Sequence, residues 1–129
     1  MKRIFAAVLA LVLCFSMAAC IRENLTMEEY MQKNQTMYDV MAAAMSKDDV
    51  AMFFTYRGNS LVMGATMDME VDESIREAVA AAMEVSLEEG KQDYLDLLKT
   101  VRESVPTAES IIVEFYDSQN ALILSKEFK

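Results

Sequence analysis

Histidine and tryptophan are both missing from this 129-residue chain, and proline, glycine and cysteine are scarce at one, three and two residues. Without histidine, the usual general base, triad partner and imidazole zinc ligand are gone. The glycines stand apart at 58, 64 and 90, so there is no glycine-rich loop to cradle a phosphate. No serine stands in a recognisable nucleophile motif. Carboxylates are plentiful, and the expectation for them is a solvated acidic surface. The chain is therefore expected not to be an enzyme, and to carry no cofactor and no metal.

What is present begins at the N-terminus. Lys2 and Arg3 precede an apolar run over 4–19, interrupted only by Ser16 and ending in Met17-Ala18-Ala19-Cys20. This is the charged, apolar and small-residue order of a secretory signal. Sixteen residues are too few for a comfortable span, which needs about 20. The Ala-Ala-Cys end is similar to the lipobox of bacterial lipoproteins. That resemblance implies cleavage before Cys20, a diacylglyceryl group on its thiol, and a protein held at the outer face of the bacterial cytoplasmic membrane. Two acyl chains give stable attachment at about 0.8 kcal/mol per buried CH₂, with no basic patch required. Cys14 would leave with the signal and lipidation would consume Cys20, so no disulfide, thiolate metal site or cysteine nucleophile is expected.

Residues 1–19 are thus read as signal, 20–25 as a short tether and 26–129 as one domain. Loss of Lys2 and Arg3 leaves ten basic residues against 21 acids, a net charge of −11. Such a body is repelled by nucleic acid and anionic lipid, which leaves the bilayer contact to Cys20. The tether spans less than about 20 Å, so the domain sits near the membrane.

Along that domain, Thr26-Met27-Glu28-Glu29 reads as a capping box. The helix it opens carries Met27, Met31, Tyr38, Met41 and Met45 on one stripe and ends near Ser46. Residues 50–56 and 61–67 flank Arg57-Gly58-Asn59-Ser60 as a hairpin. Asp72 is a good N-cap for a second helical stretch, and Pro106 closes it. Ile75, Val79, Met83, Leu87, Tyr94, Leu98, Val101 and Val105 keep helical phase across Gly90. Either Gly90 separates two helices or one long helix kinks there, and the unbroken phase favours the long helix. A second hairpin covers 110–116 and 121–128. The expected fold is α+β, helix–hairpin–helix–hairpin, with a four-stranded antiparallel sheet and its helices on one face.

Met27-Glu28-Glu29-Tyr30, Phe54-Thr55-Tyr56 and Ile111-Ile112-Val113-Glu114-Phe115-Tyr116, taken with the lipobox, carry a wider resemblance. Over residues 25–129 the chain resembles the small Gram-positive, Firmicutes-type lipoproteins that carry a compact domain of unknown function. The resemblance implies export, lipidation and fold. It implies no active site.

Ten methionines remain after residue 19. A helical Met stripe is what a core looks like, and methionine is an adaptable core filler. The alternative is a methionine-based Cu(I) carrier, with Met67-Asp68-Met69 as the best soft site. Exposed thioethers in an exported protein would also react with oxidants to give sulfoxide. The acidic stretches at 48–49 and 68–73 lack the spacing of a calcium loop.

Alternation along the strands gives the last expectation. If Met52, Phe54, Leu61, Met63, Ile111, Val113, Phe115, Leu122 and Leu124 face the helices, the other face carries Phe53, Thr55, Val62, Ile112, Tyr116 and Ile123. An apolar and aromatic face rimmed by charge is a surface for an unidentified protein or peptide partner. The competing reading covers it with a terminus, another helix or a second copy.

Overall fold

A computed structural model describes residues 24–47 and 49–129. The signal, Cys20 and Asp48 lie outside the described residues. In chain order the elements are α1 (Met27–Met45), β1 (Val50–Arg57), β2 (Ser60–Met67), α2 (Glu73–Glu89), α3 (Lys91–Ser104), β3 (Ile111–Tyr116) and β4 (Leu122–Phe128).

Helix starts follow the local chemistry. The Thr26 hydroxyl accepts the Glu29 N–H at 3.2 Å, and the Glu29 carboxylate accepts the Thr26 N–H at 3.3 Å, so two orphan donors are satisfied reciprocally. Asp72 caps α2 through the Ser74 N–H. Ser46 ends α1, and its hydroxyl then accepts the Met52 N–H at 2.8 Å, tying the helix end to β1. Gly58, with φ +59, supplies the left-handed residue of the β1–β2 turn.

Sheet order is β1-β2-β3-β4. Both hairpins are antiparallel, but β2 and β3 run parallel, with Leu61 beside Ile111 and Thr66 beside Tyr116. The sheet is therefore mixed, which corrects the antiparallel expectation. The physical reason is the α2–α3 excursion between β2 and β3. A parallel neighbour needs a crossover of a dozen or more residues, usually helical, and this one brings the chain back to the end where β2 began.

The single long helix is also corrected. Gly90 sits at φ −92° and ψ 8°, where it caps α2 and precedes α3. Glycine costs about 1 kcal/mol in a helix interior, and here it stands between two helices instead. Leu87 and then Tyr94, Leu97, Leu98 and Val101 stay buried, so the apolar phase survives the break.

All three helices pack on the face that carries Phe54, Leu61, Met63, Ile111, Val113, Phe115 and Phe128. Tyr38 lies against Phe54 with ring centroids 5.3 Å apart, and Tyr94 stacks on Phe128 at 4.6 Å. A register shift opposite Phe115–Tyr116 pairs Tyr116 with Leu122 and Phe115 with Leu124. Ile123 is the extra residue of this bulge. It joins the helix-side core at 7% exposure, whereas Leu122 is 46% exposed. Alternation expected these two the other way round, because a period of two does not count through a bulge.

Candidate functional site

The second face of the sheet is built by residues of odd number on β1 and even number on β2 and β3. Phe53, Thr55 and Arg57 come from β1, Val62 and Gly64 from β2, and Ile112, Glu114 and Tyr116 from β3. Among the described residues, the buried side chains of all three helices belong to the other face.

A polar network holds this surface. Arg57 donates through both terminal nitrogens to the two carboxylate oxygens of Glu114, each at 2.9 Å. The Tyr116 hydroxyl donates to the same carboxylate at 2.9 Å and the Ser125 hydroxyl at 3.2 Å. Glu114 is buried at 3% exposure, while the Arg57 side chain is 58% exposed. The Arg57 guanidinium, with smaller help from Tyr116 and Ser125, holds the Glu114 carboxyl below its ordinary value of 4.5. Burial first, and then the Glu114 carboxylate, push the Tyr116 phenol up.

The pairing register explains the next feature. Arg57 lies beside Ser60 and Glu114 beside Gly64, so the ion pair crosses β2 over Val62. Val62 is fully buried and Ile112 is 8% exposed. Phe53 is paired with Gly64, and its ring occupies the space that a Cβ on Gly64 would need. The same ring sits 6.1 Å from that of Tyr116.

The sequence-predicted residues thus separate. Phe53 and Tyr116 are half-buried neighbours and Thr55 is exposed beside them. Val62 and Ile112 lie on this face but are covered, and Ile123 belongs to the core. Sequence reasoning missed Arg57 and Glu114, which are 57 residues apart. The available signal was a carboxylate in the middle of an otherwise apolar strand, at an open-face position between Ile112 and Tyr116. Below it, the Ser110 hydroxyl donates to Glu127 at 2.7 Å, so the 2.7 Å contact between Ser60 and Ser110 has Ser60 as donor.

The far end of the sheet is tied by Asp117. Its carboxylate accepts the Gln119 and Ala121 N–H groups at 2.9 and 3.0 Å and the Arg76 guanidinium at 3.0 Å. The Ala121 N–H leads in holding it below the usual carboxylate range. Met67 packs on the core and Met69 is 50% exposed in the bend that follows. Among the described residues, no group of three acidic or cysteine side chains could hold a metal ion. No helix among them is long and apolar enough to cross a membrane.

The architecture is that of an α+β domain with a mixed sheet, helices on one side and a networked open face on the other. Residues 27–128 match the family model of a domain of unknown function, DUF4854, and the chain belongs to that family. No curated protein matches it. The fold is similar to a crystal structure of a candidate secreted protein from Pseudomonas aeruginosa, at 10% identity and a TM-score of 0.52. That similarity covers 83% of this chain and 95% of the other, and at this identity it speaks for fold alone.

Proposed function

We propose that this chain is an exported, non-catalytic interaction module, held by a diacylglyceryl group on Cys20 at the outer face of a Gram-positive cytoplasmic membrane. Its open sheet face receives a protein partner. The observation that carries this reading is the juxtaposition of Phe53, Thr55 and Tyr116 with a bidentate Arg57–Glu114 pair, on a face free of helices among the described residues. Two half-buried rings offer apolar contact. The exposed side of Arg57 offers donors to a carbonyl or carboxylate of the partner. The resemblance to Gram-positive lipoproteins supports the anchor, and the description of the similar Pseudomonas aeruginosa protein as a candidate secreted protein agrees with export.

The tether also sets an orientation. Leu25 donates its N–H to the Ser104 carbonyl at 3.2 Å, and the Met27 N–H meets the Asn59 side chain at 2.9 Å. An anchor at Cys20 therefore holds the β1–β2 turn end toward the bilayer, leaving the open face directed sideways.

Cys20→Ser is expected to abolish incorporation of a fatty-acid label and to move the protein from the membrane fraction to the medium. Persistence of the label or of membrane retention would remove the anchor. Thr55→Arg, at an exposed position, is expected to weaken partner capture about tenfold or more with Tm unchanged. Undiminished capture would remove the sheet face from the interaction.

A further inference from the structure

The methionines of this domain divide by depth. Met27, Met31 and Met63 are buried at 0–2% exposure, whereas Met69 is 50% exposed. Met37, Met41, Met45, Met52, Met67 and Met83 fall between, half-buried and packed against the core. The fold gathers four of these, Met41, Met45, Met52 and Met67, at one place. Met41 and Met45 stand one turn apart on the last part of α1, and the neighbouring Ser46 accepts the Met52 N–H at 2.8 Å. Met67 pairs with Val50, two residues from Met52 on the same side of β1. The seam between α1 and the β1–β2 hairpin is thus closed by thioethers.

Depth decides what oxidation does. A fully buried thioether is unreachable, and an exposed one gains oxygen without structural consequence. A half-buried one is both reachable and structural. We propose that the Met41–Met45–Met52–Met67 seam is a site of reversible oxidation by peroxide, whose sulfoxides release the C-terminal half of α1 from β1. In each event a sulfur lone pair attacks hydrogen peroxide and the O–O bond breaks. One oxygen stays on sulfur as sulfoxide and the other leaves as water, so sulfur loses two electrons and the peroxide gains them. The product replaces a flexible apolar group by a polar, chiral one that must keep its new oxygen in water. At this seam water is reached by lifting α1 away from the hairpin.

The test treats the purified full-length chain with hydrogen peroxide and follows peptide masses and thermal melting together. Met69 is expected to gain oxygen first, with Tm unchanged. Oxygen should then appear on the four seam methionines as Tm falls by about 5–10 °C. Met27, Met31 and Met63 should stay reduced until the domain unfolds. The two methionine sulfoxide reductases, one for each sulfoxide epimer and supplied with a dithiol as reductant, should together restore Tm. The M41L/M45L/M52L/M67L variant keeps the half-buried Met37 and Met83, and should show only a small part of the fall under peroxide. Should that variant not fold, amide hydrogen exchange over 38–46 in the oxidised wild-type chain decides, with at least about a tenfold rise expected. Seam oxidation without change in Tm or exchange would overturn the proposal. So would seam methionines that react only together with Met27 and Met31, or a Tm that the two reductases together do not restore.

Discussion

Leu98→Ala is expected to lower the stability of the domain by about 2–5 kcal/mol, while Ile75→Ala changes it by less than about 0.5 kcal/mol. Both residues belong to the same apolar phase that runs from Ile75 to Val105. Leu98 is 1% exposed at the middle of the core, whereas Ile75 is 47% exposed near the start of α2. Truncating Leu98 removes buried methyl groups and leaves a cavity that Leu97, Val101 and the sheet fill only in part. A total stability of about 5–15 kcal/mol makes this a large fraction. At Ile75 the removed atoms already face water. Chemical denaturation of the two variants measures the difference directly, and equal costs would contradict the packing described here.

The second large effect concerns the open face. Arg57→Ala is expected to cost about 1–3 kcal/mol near neutral pH, chiefly because it strips a buried carboxylate of its two strongest hydrogen bonds. The Arg57 side chain is 58% exposed, which screens the charge attraction and keeps the figure below that of a buried pair. The pH dependence follows from the direction of the shift. Because folding lowers the Glu114 value below 4.5, the pair contributes its full stability above that pH. The contribution disappears as pH falls through the folded-state value. Glu127, held down mainly by Ser110, Asp117, held down mainly by Ala121, and Glu88, held down mainly by Lys126, keep both proteins acid-sensitive. The readout is therefore the gap between wild type and Arg57→Ala. It should be widest near pH 7 and narrow as pH falls below 4.5. A constant gap would show that Arg57 acts by covering Val62 and not through the carboxylate.

Local features of this fold were legible in the sequence because local chemistry fixes them. The Thr26–Glu29 box, the Asp72 cap, the Gly58 turn and the stop before Pro106 each follow from a few neighbouring residues. Strand direction does not. Alternation in 61–67 and 111–116 says which side chains share a face, but the same alternation serves a parallel or an antiparallel neighbour. Only the length of the helical return between β2 and β3 distinguishes them. Gly90 was visible as a weak point, yet the unbroken phase from Leu87 to Tyr94 concealed the break. The shift of Ile123 into the core comes from one extra residue in a bulge.

The open face was half legible for a related reason. Phe53, Thr55 and Tyr116 follow from alternation, but the burial of Val62 does not. Nor does the ion pair, in which a long side chain reaches across β2 to a residue 57 positions away. Arg57 read as a turn residue because its turn lies immediately after it in the chain. Its partner became identifiable only once β3 lay parallel beside β2.

The most direct test of the interaction-module account is photo-cross-linking on intact cells, with a photo-reactive amino acid at Thr55 of the full chain and a control at Val40. Val40 is 64% exposed on α1, away from the open face. The account predicts a discrete adduct from position 55, identifiable by mass spectrometry, and none of that mass from position 40. No adduct from position 55 in a protein shown to be folded and exported would contradict it, as would the same adducts from both positions.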